Sequence, residues 1–246
     1  MGKGRKLLPF PRYITEEYVV IISGLQKLTL LDFPGRTACT VFFSGCNFRC
    51  PFCHNASLVH GSGDQIELED FFTFLRGRKG ILDGVAVTGG EPLLQPQLPV
   101  FLERIREMGF QVKLDTNGSF FDRLQEVVAA GLVDYVAMDI KSSREGYAQA
   151  AGCKADMDSI CKSVAYLLEG HVEYEFRTTA AKGIVNPQDF PRIAKWIQGA
   201  KRYFIQGFVD SGDLLGTGAS AYSKEEMEAL RKSVLPYVPS AALRGV

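Results

Sequence analysis

Three thiols, Cys46, Cys50 and Cys53, stand in the stretch VFFSGCNFRCPFCHN at residues 41–55, directly after an apolar run. Thiols this close together point to a metal centre. Three are one too few for a closed tetrahedral site. They suit an iron–sulfur cluster in which one iron lacks a protein ligand, because spacings of two to four residues let neighbouring thiols reach one cluster. A structural zinc site needs a fourth ligand. His54 directly follows Cys53, and adjacent residues rarely both turn onto one small ion. Cys39 lies on the strand before the loop, where each residue moves the chain by about 3.3 Å, so its reach is awkward. A disulfide framework belongs to exported chains. Zinc, or plain buried or redox cysteines, are the alternatives to a cluster.

Further candidates sit where apolar strands give way to polar turns. Gly89, Gly90, Glu91 and Pro92 follow the run GVAVT. Two glycines let a backbone approach a ligand closely, and Glu91 adds an acceptor; alone, the segment reads equally as a turn. Asp115, Thr116, Asn117 and Gly118 offer a carboxylate, a hydroxyl and an amide, and Asn-Gly is also a turn dipeptide. Asp139 and Lys141 alternate onto one strand face, as an internal ion pair or part of a site. Arg177 follows the alternating run VEYEF and is either a surface charge or a carboxylate or ribose contact. Gln206 is a weaker candidate. His54, His60 and His171 have no partner pattern, and Cys153 and Cys161 read as buried free thiols.

The elements that position these residues alternate. Strands are expected at residues 37–43, 84–88, 111–115, 133–140, 172–179 and 203–208. Helices are expected at 66–78, 93–108, 120–130, near Tyr147, and at 157–168 and 190–197. Ser223 with Glu226 three residues on predicts a capping box opening a final helix. Near-continuous apolar strands alternating with helices mark a parallel α/β sheet. Six βα units are too few for a closed eight-fold barrel, so an open, partial (βα)6 barrel is expected. In such folds chemistry collects at the C-terminal ends of the strands, where the candidates lie. The division expected is an extension over 1–22, the barrel over 23–210 and a helical C-terminal segment over 211–246.

The chain has 246 residues, 46% apolar and 23% charged, with a formal net charge of zero. That suits a globular protein and gives no reason to expect nucleic-acid or membrane binding. The first residues hold no signal peptide, spanning helix or myristoylation pattern, so a cytoplasmic protein with reduced thiols is expected.

The Cys-x3-Cys-x2-Cys spacing, with Phe52 just before the last cysteine, resembles the radical S-adenosylmethionine (SAM) enzymes. The longer string LTLLDFPGRTACTVFFSGCNFRCPFCHN is similar to the activating proteins of glycyl-radical enzymes, most closely that of anaerobic ribonucleoside-triphosphate reductase. The resemblance implies the partial barrel and a [4Fe-4S] cluster on Cys46, Cys50 and Cys53, whose open iron SAM chelates. It implies that Gly89, Gly90 and Glu91 hold the SAM amino group. Asp115, Thr116 and Asn117 would lie near SAM, Asp115 and Asp139 would share a monovalent cation, and Lys141 would neutralise carboxylate charge. The implied partners are a glycyl-radical enzyme and a low-potential donor such as flavodoxin or ferredoxin. The alternatives are an activase of pyruvate formate-lyase, a radical SAM enzyme acting on a small molecule, and an iron–sulfur electron carrier. The ferredoxin-like insert of some activases is absent.

Overall fold

A computed structural model describes residues 20–61 and 64–246. Most of the expected N-terminal extension, residues 1–19, lies outside the described residues. Six parallel strands stand side by side in chain order: β2 (Ala38–Phe43), β3 (Gly84–Gly89), β4 (Gln111–Thr116), β5 (Tyr135–Asp139), β6 (Glu173–Lys182) and β7 (Tyr203–Gly207). This is the α/β partial barrel expected. Two edge strands were not legible in the sequence. β1 (Ile22–Thr29) pairs antiparallel with β2, and β9 (Ala242–Arg244) extends the sheet beyond β7. A two-residue strand, β8 (Ser220–Ala221), pairs with β6.

Helices cover the strands because their apolar residues recur at helical spacing. They are α1 (Ala56–His60), α2 (Leu68–Arg76), α3 (Leu98–Glu107), α4 (Phe121–Ala129), α5 (Tyr147–Ala151), α6 (Met157–Leu168), α7 (Asp189–Trp196) and α8 (Lys224–Val234). Phe71 and Phe72 of α2 pack with Phe101 of α3 at ring distances of 5.4 and 5.5 Å, and Phe43 of β2 joins at 5.1 Å. Each such buried ring stabilises the fold by about 2 kcal/mol.

One expected helix, residues 93–108, is split. Pro92–Leu94 forms a single 3-10 turn, and α3 starts only at Leu98. Pro96 forces Gln95 into an extended conformation, at φ −77° and ψ 116°. The capping box at Ser223 and Glu226 forms as expected. After α8 the chain turns and ends in the short strand β9, pinned by its own charge. Arg244 forks onto the wholly buried Glu175 at 2.8 and 3.2 Å, and the Tyr135 hydroxyl donates to the same carboxylate at 2.9 Å. No helix among the described residues is long and apolar enough to cross a membrane.

Candidate active site

A cavity of about 320 Å³ opens at the C-terminal ends of the strands. One wall carries the thiols. Cys46, Cys50 and Cys53 all line it, with Phe48 and Phe52 between them. None is in a disulfide. The loop stands there because β2 is apolar and buried up to Phe43, and Gly45 then turns with φ 89°. Burial pushes the Cys46 thiol up to about 11 and Cys50 up to about 12, while the nearby Lys141 charge works in the opposite direction on both. Cys46 Sγ accepts a hydrogen bond from the Phe48 amide at 3.4 Å.

The donor set fits a cluster. Among the described residues no three His, Cys, Asp or Glu side chains are grouped so as to hold one metal ion. A four-iron cluster takes each thiolate on a different iron, so its ligands are spread more widely than those of a single zinc. Cys39 does not contribute: it is wholly buried in β2, and desolvation pushes it up to about 12. Cys153 and Cys161 are half-buried free thiols; Cys153 Sγ lies 3.7 Å from the Asn47 carbonyl oxygen.

The opposite wall is a chain of charges across β4, β5 and β6. Lys113 pairs with Asp115, and Arg177 reaches Asp115 at 3.1 Å and Asp139 at 2.8 Å. Asp139 in turn meets Lys141 at 3.2 Å. The sheet sets this up, because Arg177 sits directly opposite Asp139 in the β5–β6 register. Burial would raise both carboxyls, but Arg177 with Lys113 or Lys141 outweighs it, so both lie below the usual range. Burial would lower Lys141, but Asp139 and the thiols hold it above its ordinary value. Three cations face two carboxylates in this chain of five.

Two expected site groups have partners within the chain. Asp115 and Asp139, expected to share a cation, are bridged by a side chain. All four of their oxygens are engaged by Lys113, Arg177 and Lys141, and the Arg177 guanidinium bridges the two. Glu91 is not on the cavity. It is wholly buried and accepts from the Leu93 amide at 3.1 Å, the Thr116 hydroxyl at 2.8 Å and the Asn117 amide at 2.7 Å. Desolvation outweighs these donors and pushes its carboxyl up to about 7. Glu91 therefore braces the end of β4.

Gly89, Gly90, Thr116 and Asn117 do line the cavity. The glycines serve the loop as well. A Cβ on Gly89 would stand 2.2 Å from the Phe43 nitrogen, and one on Gly90 would stand 1.9 Å from the Gly45 oxygen. Close packing lets the Glu91 amide donate to Gly45 at 2.9 Å. Asn117 ties β4 to the cysteine loop through the Asn47 side chain at 2.9 Å. Gln206 and the exposed His54 also border the cavity.

Several lining residues were not foreseen: Gln26 of β1, Asp32 and Thr40. Thr40 donates to Asp32 at 2.5 Å. Lys113, buried behind the wall, was readable, since a lysine two residues before Asp115 in an apolar strand must share that residue's face.

The Radical SAM superfamily matches residues 40–197, more than half of the chain. A Methanocaldococcus jannaschii protein assigned by name to the glycyl-radical enzyme activating enzymes is 28% identical over 236 residues, covering 92% of this chain and 96% of its own. The 7-carboxy-7-deazaguanine synthase of Methanopyrus kandleri is 32% identical, covering 59% of this chain and 64% of its own. The pyruvate formate-lyase-activating enzyme of Clostridium pasteurianum is 33% identical, covering 58% and 62%. In structure, Streptococcus suis SuiB bound to precursor peptide SuiA superposes with a TM-score of 0.66 at 15% identity, over 82% of this chain and 47% of that one.

Proposed function

The chain belongs to the radical SAM superfamily, and from that premise we propose that it is a glycyl-radical-enzyme activase whose target is an anaerobic ribonucleoside-triphosphate reductase. The observation that carries this reading is the one cavity that joins three free thiols to the Lys141–Asp139–Arg177 ion pairs. Cys46, Cys50 and Cys53 are the residues that would hold the [4Fe-4S] cluster. When bound, cluster and SAM together supply a low-potential electron and, from SAM, a carbon radical that removes hydrogen.

The chain's own residues prepare that chemistry. With Cys46 and Cys50 pushed up to about 11 and 12, both are protonated at neutral pH in the metal-free chain, so taking up iron releases their protons. Lys141 faces the thiols and offsets part of the thiolate charge. Lys141 and Arg177, the two cations on the cavity, suit the carboxylate of a zwitterionic amino acid such as the methionine part of SAM. Phe48 and Phe52, both buried, keep water from the thiol wall. A glycine Cα–H is a fitting target, because a residue without Cβ allows close backbone approach. A flavodoxin or ferredoxin would deliver the electron.

A second reading, activation of pyruvate formate-lyase, is favoured by the 33% identical relative of that name. A third, action on a small purine-like molecule, is favoured by the deazaguanine synthase. One experiment separates them. The protein is reconstituted anaerobically with iron and sulfide, given dithionite and SAM, and assayed for 5′-deoxyadenosine beside Cys50→Ala. Each candidate partner is then examined for a glycyl-radical signal by electron paramagnetic resonance. Cys50-dependent product with the signal on the reductase is expected. A signal on the lyase alone moves the target there. SAM cleavage with no signal on either partner favours a small substrate. A loaded cluster that neither binds nor cleaves SAM makes the protein an electron carrier.

A further inference from the structure

Residues 211–216 lie across the cysteine loop, although they fall outside the span matched to the superfamily. This segment leaves the end of β7 and meets the loop after β2. The Gly216 amide donates to the Pro51 carbonyl at 3.0 Å, and the Leu215 amide to the Cys53 carbonyl at 3.1 Å. The loop returns the contact. The Ala56 amide donates to the Asp213 carbonyl at 3.3 Å, and the Ser57 amide and hydroxyl reach the Asp213 carboxylate at 3.2 and 3.0 Å. Ser211 donates to the His54 carbonyl at 3.0 Å. Asn55, which precedes α1, makes no capping bond with its side chain, so Asp213 supplies the cap from a distant part of the chain.

The contact is also tight. A Cβ on Gly216 would stand 2.8 Å from Pro51 Cβ and 2.9 Å from its Cα. The same device recurs at two other points of the loop. A Cβ on Gly90 would meet the Gly45 oxygen at 1.9 Å, and one on Gly152 would meet the Arg49 oxygen at 1.9 Å. The Arg49 amide donates to the Ala151 carbonyl at 2.8 Å, so the end of α5 grips the loop too. Three glycines from three parts of the chain thus press on residues 45, 49 and 51, which flank Cys46 and Cys50.

We propose that residues 211–216 are a strap that positions the cluster ligands: Asp213 and Gly216 hold the backbone bearing Cys50 and Cys53 in place before iron is bound. The proposal rests on these cysteines being the cluster ligands, and its test separates the two. Asp213→Ala removes the cap but leaves the glycine contact. Gly216→Val removes the close approach. Thr217→Ala, an exposed neighbour, is the control.

Amide hydrogen exchange is measured on the metal-free full-length chain, which needs no cluster. Protection at Ala56, Ser57, Leu215 and Gly216 is expected in the parent and in Thr217→Ala, and is expected to fall in the two strap variants. Iron release from reconstituted protein to a chelator is then timed. It should be about tenfold faster in Asp213→Ala and Gly216→Val, the scale on which outer supporting contacts tune metal affinity. Unchanged exchange, or faster exchange with unchanged iron release, overturns the strap. If Gly216→Val does not fold, Asp213→Ala decides alone, since that side chain is exposed. Cys50→Ala is run in parallel. Full iron retention there removes the cluster assignment, whatever the strap variants show.

Discussion

On one side of the cavity, the loop bearing Cys46, Cys50 and Cys53 is held by backbone contacts: carbonyls and amides of residues 45, 49, 51 and 53 meet the turn after β3, the end of α5 and the 211–216 segment. On the other side, Asp115, Asp139, Lys141 and Arg177 hold one another by charge, on strands whose register fixes them. The difference suits what each wall must do. Cluster ligands need a fixed spacing that does not depend on protonation, and backbone packing gives it. A wall for a charged ligand needs a field, and ion pairs give it where water is scarce. The two walls should therefore fail differently.

The charged wall should fail harder. Arg177→Ala leaves Asp115 and Asp139 facing each other with only their lysines. Removing one member of a buried pair costs about 4 kcal/mol, and Arg177 with Asp115 is well buried. Urea unfolding of the metal-free chain should show this loss while iron uptake survives. The same guanidinium bears on cation dependence. Replacing sodium and potassium by a bulky organic cation should leave SAM affinity unchanged in the parent, because Arg177 already bridges the carboxylates. A strong requirement for potassium or sodium would show that this bridge opens when the ligand binds.

The thiol wall should respond to volume instead. Gly90→Ala places a methyl group 1.9 Å from the Gly45 oxygen. Overpacking of this kind costs about 3 kcal/mol. Iron content after reconstitution should fall with it, while the Asp115–Arg177–Asp139 chain stays in place. A variant that keeps full iron content would mean that the loop can shift without moving its thiols.

The walls were unequally legible in the sequence. Asp139 and Lys141 announce themselves, because alternation puts residues two apart on one strand face. The three cysteines are visible by type and spacing. The grips on their loop are not. Nothing in AAGC marks Gly152 as the partner of Arg49, and nothing in LLGTGAS marks Gly216 as the partner of Pro51, since each match is made only when distant parts of the chain pack. The strands and most helices were legible from apolar pattern, and α6 runs from Met157 to Leu168 as its periodicity predicts. β1 was obscured because its burial does not alternate: half-buried Ser23, Gly24 and Leu25 run into exposed Gln26, Lys27 and Leu28. Glu91 stands just past the end of β3, where the pattern puts it, but its internal partners were not legible. The chain pattern gives no sign that three internal donors would claim its carboxylate.

Glu91 lies between the two walls, and its titration tells whether they are coupled. Its carboxyl is pushed up to about 7 in the folded chain by burial, from an ordinary value near 4.5. A raised folded value means that the folded state holds the proton more tightly than the unfolded state. Stability from this group is therefore complete below the ordinary value and is lost as pH rises through about 7. Across pH 5 to 7 the loss should be about 2 kcal/mol. Glu91→Gln cannot ionise, so its stability relative to the parent should rise over the same window, read as the difference between two urea series. A parallel pair of curves would mean that the three donors keep Glu91 ionised at all these pH values. If the difference has the expected slope and SAM affinity follows it, then the end of β4, held by Glu91 through Thr116 and Asn117, transmits the state of the buried carboxyl to the cavity.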